Sequence, residues 1–374
     1  MKKNLALILV LCLVLCGCSE LIPARTTVES EAARIAAQVT TAPTTEATTE
    51  PTTEAPTEPP TEPAPIYYNP LNGEILNVPF NNRIFAVVIN NLQGAVPHSG
   101  LPNCDLYFES FVNGSIIRGI ALFTDVSGLE AIGPVRSNRP LFIDLAKHYD
   151  AVLVHAGACY QVIQEAKNSG IDNFNIDEWV VSQLTSFRDS ERSKRGYGYE
   201  HTLFAIGDGL IEYSQQNGIR MEVNPDVDYQ LHFADDGIPA DGVDATDINI
   251  TITVNQYKKD TRMIYDASLD KYVYNQYDME MVDERSGEKE AFRNVLILCG
   301  DIPYDGPFQR PDLITGGEGW YACGGKAIPI TWGSADKESP LWFRTADGEP
   351  LTLGRGNTYV AITQTGSVIT GIGE

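Results

Sequence analysis

The chain has 374 residues, and its 27 basic and 50 acidic side chains give a formal net charge of −23 at pH 7. Binding of duplex nucleic acid depends on a basic face that releases counterions, so this balance argues against nucleic acid as a partner. Residues 67–374, which follow a low-complexity segment, are numerous enough for one large domain or two ordinary ones.

The N-terminus has the pattern of an export signal. Lys2 and Lys3 precede an apolar run at 5–16 that is too short to span a bilayer and suits the core of a signal peptide. The run ends in Leu15-Cys16-Gly17-Cys18, which resembles the bacterial lipobox, although Cys16 stands where Ala or Ser is usual. The resemblance implies a signal peptide over 1–18 and an acylated Cys18 that anchors the chain to the lipid bilayer on its extracytoplasmic face. A plain secretory signal or an uncleaved anchor is the alternative.

Residues 19–66 form a stalk rich in Thr, Pro and Glu, with a near-repeat over 44–59. This composition is typical of a disordered, extended chain. In a polyproline-like state, residues 40–65 would reach roughly 80 Å. Such a spacer would lift a domain into or across a cell wall, which favours a Gram-positive bacterium, but a featureless linker is equally compatible with the sequence.

Residues 67–222 read as an α/β domain. Three strands are predicted, at 83–90, 105–111 and 115–125, the last two joined by an Asn113-Gly114 hairpin. In the third strand, Arg118 alternates with apolar residues on one face. Because an unpaired buried charge is costly, Arg118 needs a partner, for which Asp105, Glu109 or a bound anion are the candidates.

The stretch at 133–157 is predicted to form a loop, a helix and a short buried strand at 151–154. The residue before a proline avoids helical geometry, so Arg139 is expected at the N-cap and Pro140 as the first helical residue. Arg136, Ser137 and Arg139 then surround free helix N–H groups. The helix dipole and the guanidinium groups both favour negative charge there, which predicts an anion site.

A helix is predicted at 160–169, followed by a polar loop at 186–199 and another helix at about 201–217. The loop carries the densest basic cluster of the chain: Arg188, Asp189, Arg192, Lys194 and Arg195. It is either a solvated loop or a lid that supplies a second positive wall to the site. In the lid hypothesis, Arg188 would contact the ligand, and His201 would begin the next helix at the mouth of the site.

Residues 223–374 are predicted to form a mostly-β domain, because turn residues separate the strands and no long helical pattern intervenes. The predicted strands are 228–233, 247–257, 262–265, 271–276, 294–299, 327–332, 341–344 and 358–363. Trp320, Trp332 and Trp342 could stack on sugar rings, although packing in the core is the commoner role of strand tryptophans.

The cysteines outside the leader are Cys104, Cys159, Cys299 and Cys323, and they lack the spacing of a zinc site. They could pair, with Cys299 and Cys323 close in sequence, or serve as small buried apolar residues. The sequence predicts neither a metal nor a cofactor.

Several segments carry a family resemblance. They include Pro97-His98-Ser99-Gly100-Leu101, Gly133-Pro134-Val135-Arg136-Ser137, Val154-His155-Ala156-Gly157 and Gly316-Gly317-Glu318-Gly319-Trp320. In these segments the chain resembles the YerB-like lipoproteins, a bacterial family of unknown function. The resemblance implies an N-terminal and a C-terminal domain on a lipid anchor, and it supplies no catalytic residues.

Three functional hypotheses remain open. In the first, Arg118, Arg136 and Arg139 bind a phosphate or carboxylate of an envelope component or a metabolite. In the second, the protein is an envelope hydrolase or transferase that uses His155 with Glu109 or Asp144. In the third, the arginines pair internally with Asp105, Glu109 and Asp144, and the protein is a surface scaffold.

Overall fold

The computed structural model describes residues 65–374, so the signal peptide, Cys18 and nearly all of the stalk lie outside the described residues. The α-helices of this part are α1 (Pro140–His148), α2 (Tyr160–Ser169), α3 (Trp179–Thr185), α4 (Ser190–Lys194) and α5 (Gly207–Gln216). Short 3-10 helices lie at Gln93–Ala95, Leu101–Asn103 and Tyr199–His201. None of the helices between residues 65 and 374 is long and apolar enough to cross a membrane.

Along the chain, strands precede the helices, alternate with them and follow them. Up to α5 they are β1 (Tyr67–Tyr68), β2 (Ile75–Leu76), β3 (Phe85–Asn90), β4 (Leu106–Asn113), β5 (Ile116–Phe123), β6 (Val152–His155), β7 (Asn173–Asn175), β8 (Ser186–Arg188) and β9 (Leu203–Ala205). After α5 they are β10 (His232–Ala234), β11 (Val243–Asp244), β12 (Asp247–Val254), β13 (Tyr257–Asp266), β14 (Lys271–Gln276), β15 (Met279–Glu280), β16 (Ala291–Phe292), β17 (Asn294–Gly300), β18 (Tyr304–Asp305), β19 (Phe308–Gln309), β20 (Gly317–Cys323), β21 (Lys326–Ser334), β22 (Leu341–Thr345), β23 (Thr352–Gly354), β24 (Thr358–Gln364) and β25 (Ile369–Thr370).

An 11-stranded sheet runs through both halves of the described chain in the order β11-β21-β20-β17-β24-β4-β5-β3-β6-β7, with β22 paired to β21. Strand β24 lies between β17 and β4 and is parallel to both. It therefore joins the N-terminal strands to the C-terminal ones by main-chain hydrogen bonds. Residues 65–374 belong to one compact unit with a continuous hydrophobic core, so we expect this part to fold on its own.

A second sheet, in the order β15-β14-β13-β12-β25, packs against the first. In β12 the residues Ile248, Ile250, Ile252 and Val254 are buried and alternate with more exposed ones, as expected for an antiparallel sheet with one covered face. Aromatic rings fill the space between the sheets: Tyr107, Tyr274, Phe292 and Tyr359.

The predicted fold class, an α/β region followed by a mostly-β region, is confirmed, because all five α-helices of the described residues end before residue 217. Helix α2 has the predicted bounds, and Arg139 and Pro140 are the N-cap and first residue of α1, as expected. The helix predicted at 201–217 is shorter than expected and begins at Gly207. Residues 203–205 instead form β9, which pairs with β8.

Candidate anion site

The stretch around Arg136 extends the large sheet where β6 ends. The N–H of Arg136 donates to the carbonyl of Val88 (3.0 Å), and the N–H of Asn90 donates to the carbonyl of Pro134 (2.8 Å). On the other side, the N–H of Ala156 donates to the carbonyl of Arg136 (2.9 Å). Since β3 and β6 are parallel, Arg136 lies at their carboxyl ends, the edge at which open α/β sheets usually bind ligands.

Two helix N-termini open onto a cavity of about 620 Å³ at this edge. Arg139 is the N-cap of α1 and Cys159 is the N-cap of α2, and neither side chain bonds to the free N–H groups of its helix. The cavity is lined by Asn113, Arg136, Ser137, Arg139, Ala156, Gly157, Ala158, Cys159, Gln161, Asp177, Pro307 and Phe308. Unsatisfied N–H groups and two helix dipoles therefore favour a negative group in it.

Arg118, Arg136 and Arg139 form no ion pair with any described carboxylate. The Nε atom of each is buried without a hydrogen-bond partner in the described part of the chain. Arg118 is only 2% exposed. Its Nη1 donates to the main-chain carbonyl of Ser137 (2.6 Å), and Nη1 of Arg139 donates to the carbonyl of Asn138 (2.7 Å). These carbonyls solvate the guanidinium groups but leave their charge uncompensated.

The electrostatics of the three arginines agree with this geometry. Burial lowers the pKa of each, and the charges of Arg139 and Arg136 lower the pKa of Arg118 further. For Arg136, the charges of Glu200 and Asp177 act in the opposite direction, although neither carboxylate forms an ion pair with it. A guanidinium nevertheless keeps its proton in proteins, so the cluster carries concentrated positive charge. Asp177 also lines the cavity, but it is paired with Arg188 at 2.6 Å.

The sequence allows the basic loop to be either a solvated loop or a lid that supplies a second positive wall, and in the structure its charges are paired. Each of its cations pairs with a carboxylate: Arg188 with Asp177, Lys194 with Glu191, and both Arg192 and Arg195 with Glu284. Arg192 is buried and also donates to the carbonyls of Ala95 and His201, both at 2.9 Å. The loop contains β8 and α4, and it is held to the rest of the fold by the pairing of β8 with β9 and by the ion pairs with Glu284.

His201 lies beside the site and does not begin a long helix. Its Nδ1 is 2.8 Å from Nδ2 of Asn90, the last residue of β3. Burial is the main cause that lowers the pKa of His201, and the charge of Arg136 acts in the same direction.

The three catalytic candidates lie in separate environments. His155 is buried at the end of β6, with Nδ1 3.1 Å from the carbonyl oxygen of Gly157 and Nε2 3.3 Å from Oδ1 of Asn173, and burial lowers its pKa. Glu109 forms a buried ion pair with Lys259 between the two sheets. The carboxylate of Asp144 accepts two hydrogen bonds from Arg310, at 2.6 and 2.7 Å.

The internal ion pairs expected for the arginines are also absent from the described residues. Asp105, a suggested partner of Arg118, accepts hydrogen bonds from Asn69 (3.1 Å), Asn72 (2.6 Å) and Thr124 (2.7 and 2.9 Å) instead. With Glu109 and Asp144 paired elsewhere, none of the three carboxylates neutralises the cluster.

Sequence reasoning missed three residues of the site. Asn138 is buried, and both polar atoms of its amide lack a partner among the described residues. Phe308 brings its ring to 5.7 Å from the guanidinium carbon of Arg139, and Cys159 caps α2 as an exposed thiol. Asn138 could have been found because it stands between Ser137 and Arg139, whereas Phe308 is too distant in sequence to be assigned.

A second cleft, of about 700 Å³, lies between the β4–β5 hairpin and the second sheet. Two of its basic side chains are neutralised, Lys259 by Glu109 and Arg262 by Asp247. It is therefore the weaker candidate for an anion site.

No cluster of metal-ligating side chains occurs among residues 65–374, and all four cysteines in this range are free thiols.

The tryptophans considered for sugar binding lie in the C-terminal strands. Trp332 is buried and donates through Nε1 to the carbonyl of Glu318 (3.1 Å), which is a core role. Trp320 and Trp342 are partly exposed.

The fold is that of a mixed α/β protein whose sheet continues into an all-strand region. The chain belongs to the family described as Protein of unknown function (DUF3048): the N-terminal domain model matches residues 73–220, and the C-terminal domain model matches residues 250–360. The predicted resemblance to the YerB-like family is thereby confirmed.

One relative is the "Putative lipoprotein YerB" of Bacillus subtilis (strain 168), 26% identical over 285 residues, which are 75% of this chain and 81% of the relative. The crystal structure of YerB protein from Bacillus subtilis superposes with a TM-score of 0.67 at 22% identity, covering 81% of this chain and 99% of that one. At this identity the superposition shows that the two proteins share a fold.

Proposed function

We propose that this protein is a lipid-anchored protein on the extracytoplasmic face of the cell membrane, of a Gram-positive bacterium, and that its arginine cavity binds a phosphate or carboxylate group of an envelope component or metabolite. The anchor is supported by the Leu15-Cys16-Gly17-Cys18 motif and by the naming of the Bacillus relative as a lipoprotein. Acylation of Cys18 would hold the chain at the bilayer.

The observation that carries the binding proposal is that Arg118, Arg136 and Arg139 form no ion pair with any described carboxylate. The chain has 50 acidic residues, and the basic residues of the neighbouring loop all pair with carboxylates. A cluster of half-buried and buried arginines without such a partner is costly unless something else supplies the negative charge. Two free helix N-termini at the same cavity would add hydrogen bonds to that anion.

The enzyme alternative has less support. His155 has no carboxylate among its hydrogen-bond partners, and the ion pairs of Glu109 and Asp144 leave neither free to serve it as acid or base. Binding therefore explains the site without a chemical step.

The test is thermal melting of residues 65–374 against inorganic phosphate, phosphorylated metabolites and teichoic-acid units, with and without Arg136→Ala. A ligand at 100 times its dissociation constant should stabilise the wild type by about 2.7 kcal/mol. We expect Arg136→Ala to remove that shift at little cost in stability. Arg344→Ala, which removes an exposed arginine on β22, is the charge-matched control and should keep the shift.

Two joint results would contradict the proposal: no shift with any anion, and an Arg136→Ala/Arg139→Ala protein that melts far below wild type. That pattern would mean that the arginines hold the fold together, as the scaffold hypothesis requires.

A further inference from the structure

Three exposed aromatic side chains are connected to residues that line the arginine cavity, either along the chain or through an ion pair, and we call Tyr160, Trp179 and Tyr199 the aromatic rim. Their exposed fractions are 75%, 79% and 70%. They are the most exposed aromatic side chains of the described residues, and a group of exposed rings beside one cavity favours a binding surface.

Each rim residue is connected to the cavity wall. Tyr160 stands between Cys159 and Gln161, which both line the cavity. Trp179 opens α3 two residues after Asp177, another lining residue.

The third rim residue, Tyr199, contacts Arg188, which forms an ion pair with the cavity-lining residue Asp177. The guanidinium carbon of Arg188 lies 3.6 Å from the centre of the Tyr199 ring, and the same guanidinium pairs with Asp177 at 2.6 Å. The ring of Tyr199 is therefore held beside the cavity by a stacked and charged contact.

A ligand that matches both features needs a negative group for the arginines and flat apolar faces for the rings. Sugar rings have such faces, because their C–H groups lie on the two sides of the ring and their hydroxyls project around it. On the basis of the proposed anion-binding function, we infer that the site takes an anionic glycan, in which a phosphate or carboxylate enters the arginine cavity while neighbouring sugar rings stack on the aromatic rim.

An anionic lipid surface fits the rim less well. Glu178 and Glu200 are both exposed and lie next to rim residues, so a flat anionic bilayer pressed against the rim would bring like charges together. A glycan places one anion in the cavity and uncharged ring faces on the rim, and it avoids most of this repulsion.

The experiment compares three probes by calorimetric titration of residues 65–374: inorganic phosphate, glucose 1-phosphate, and a neutral oligosaccharide that carries a single terminal glucuronic acid. We expect the sugar-bearing probe of the correct anion to bind at least about tenfold more tightly than the free anion. Trp179→Ala should remove this advantage and leave phosphate affinity unchanged, since its side chain is exposed and makes no hydrogen bond in the described structure. Tyr68→Ala is the matched control: it removes an exposed tyrosine that stacks on Arg355, away from the cavity, and should change nothing.

Phosphate binding that depends on Arg136, combined with no gain from sugar and no effect of Trp179→Ala, would overturn the glycan inference and leave the anion proposal standing. If residues 65–374 bind neither phosphate nor the sugar-bearing probes, both the anion proposal and the glycan inference are wrong. Binding of residues 65–374 to phosphatidylglycerol vesicles that Trp179→Ala abolishes, without sugar binding, would identify the rim as a membrane contact and also overturn the inference.

Discussion

The guanidinium of Arg118 donates to the main-chain carbonyl of Ser137 at 2.6 Å and meets no carboxylate in the described structure. Glu109, which the sequence suggested as a partner on the neighbouring strand, forms its ion pair with Lys259 instead. Arg118 thus holds Ser137, and with it the loop before α1, by a charged group that burial disfavours.

We expect Arg118→Met to stabilise the ligand-free protein by roughly 1–3 kcal/mol, because it replaces an uncompensated buried charge with an apolar side chain of similar length. The same change should abolish anion-dependent stabilisation. Urea unfolding with and without phosphate measures both effects. A strongly destabilised variant would show that the hydrogen bond from Arg118 to Ser137 outweighs the cost of the buried charge, and it would count against the anion site.

A second prediction concerns the buried pair of Glu109 and Lys259, which also involves Tyr274 and Tyr359: the hydroxyls of both tyrosines donate to Oε2 of Glu109, at 3.0 and 2.6 Å. Lys259→Met should cost about 3–5 kcal/mol, because it leaves Glu109 buried without a counter-charge. Adding Glu109→Gln should recover part of this loss. Lys258→Met, at an exposed neighbouring position, is the control in chemical denaturation, and an equal loss there would contradict the prediction.

The third prediction concerns pH and Asp105. Burial raises the pKa of this carboxyl to about 6, even though its hydrogen bonds with Thr124 and Asn69 act in the opposite direction. The folded state then binds more protons than the unfolded state between about pH 4 and pH 6, so this group lowers the free energy of unfolding as the pH rises through that window, by about 3 kcal/mol in total.

The titration of the Asp105 carboxyl carbon by NMR measures this directly. We expect a midpoint near 6, and a midpoint near 4 would refute the prediction. The stability difference between wild type and Asp105→Asn should also change across the same window and remain constant above it.

Local patterns predicted the start of α1 well but the start of a later helix poorly. Pro140 and Arg139 predict the start of α1, because a proline restricts the backbone conformation of both itself and the residue before it. The helix at 201–217 was predicted to start too early because pairing of β9 with β8 outweighed helical periodicity. The helix starts only at Gly207, where a Cβ would lie 1.8 Å from the carbonyl oxygen of Val126, so tertiary packing sets this boundary.

Long-range pairs could not be read from one sequence. Arg118 was expected to find Asp105 or Glu109, both plausible by strand proximity, yet the lysine that neutralises Glu109 lies 150 residues further along the chain. The exposure of Trp179 could not be predicted either, because it depends on how α3 packs and no local pattern reveals it. Only tertiary contacts distinguish a charge that is neutralised from one that is not.

The position of β24 has a consequence for how the chain is made. Residues 358–364 are synthesised after every other strand of the large sheet, yet β24 fills the gap between β17 and β4 in the middle of that sheet. Until it arrives, the hydrogen-bonding edges of both neighbours stay open, and open edges invite pairing with other chains. A nascent chain of this protein therefore cannot complete the large sheet before β24 is made. Under the proposed export, this would favour threading of the unfolded chain through a membrane pore and completion of folding on the far side.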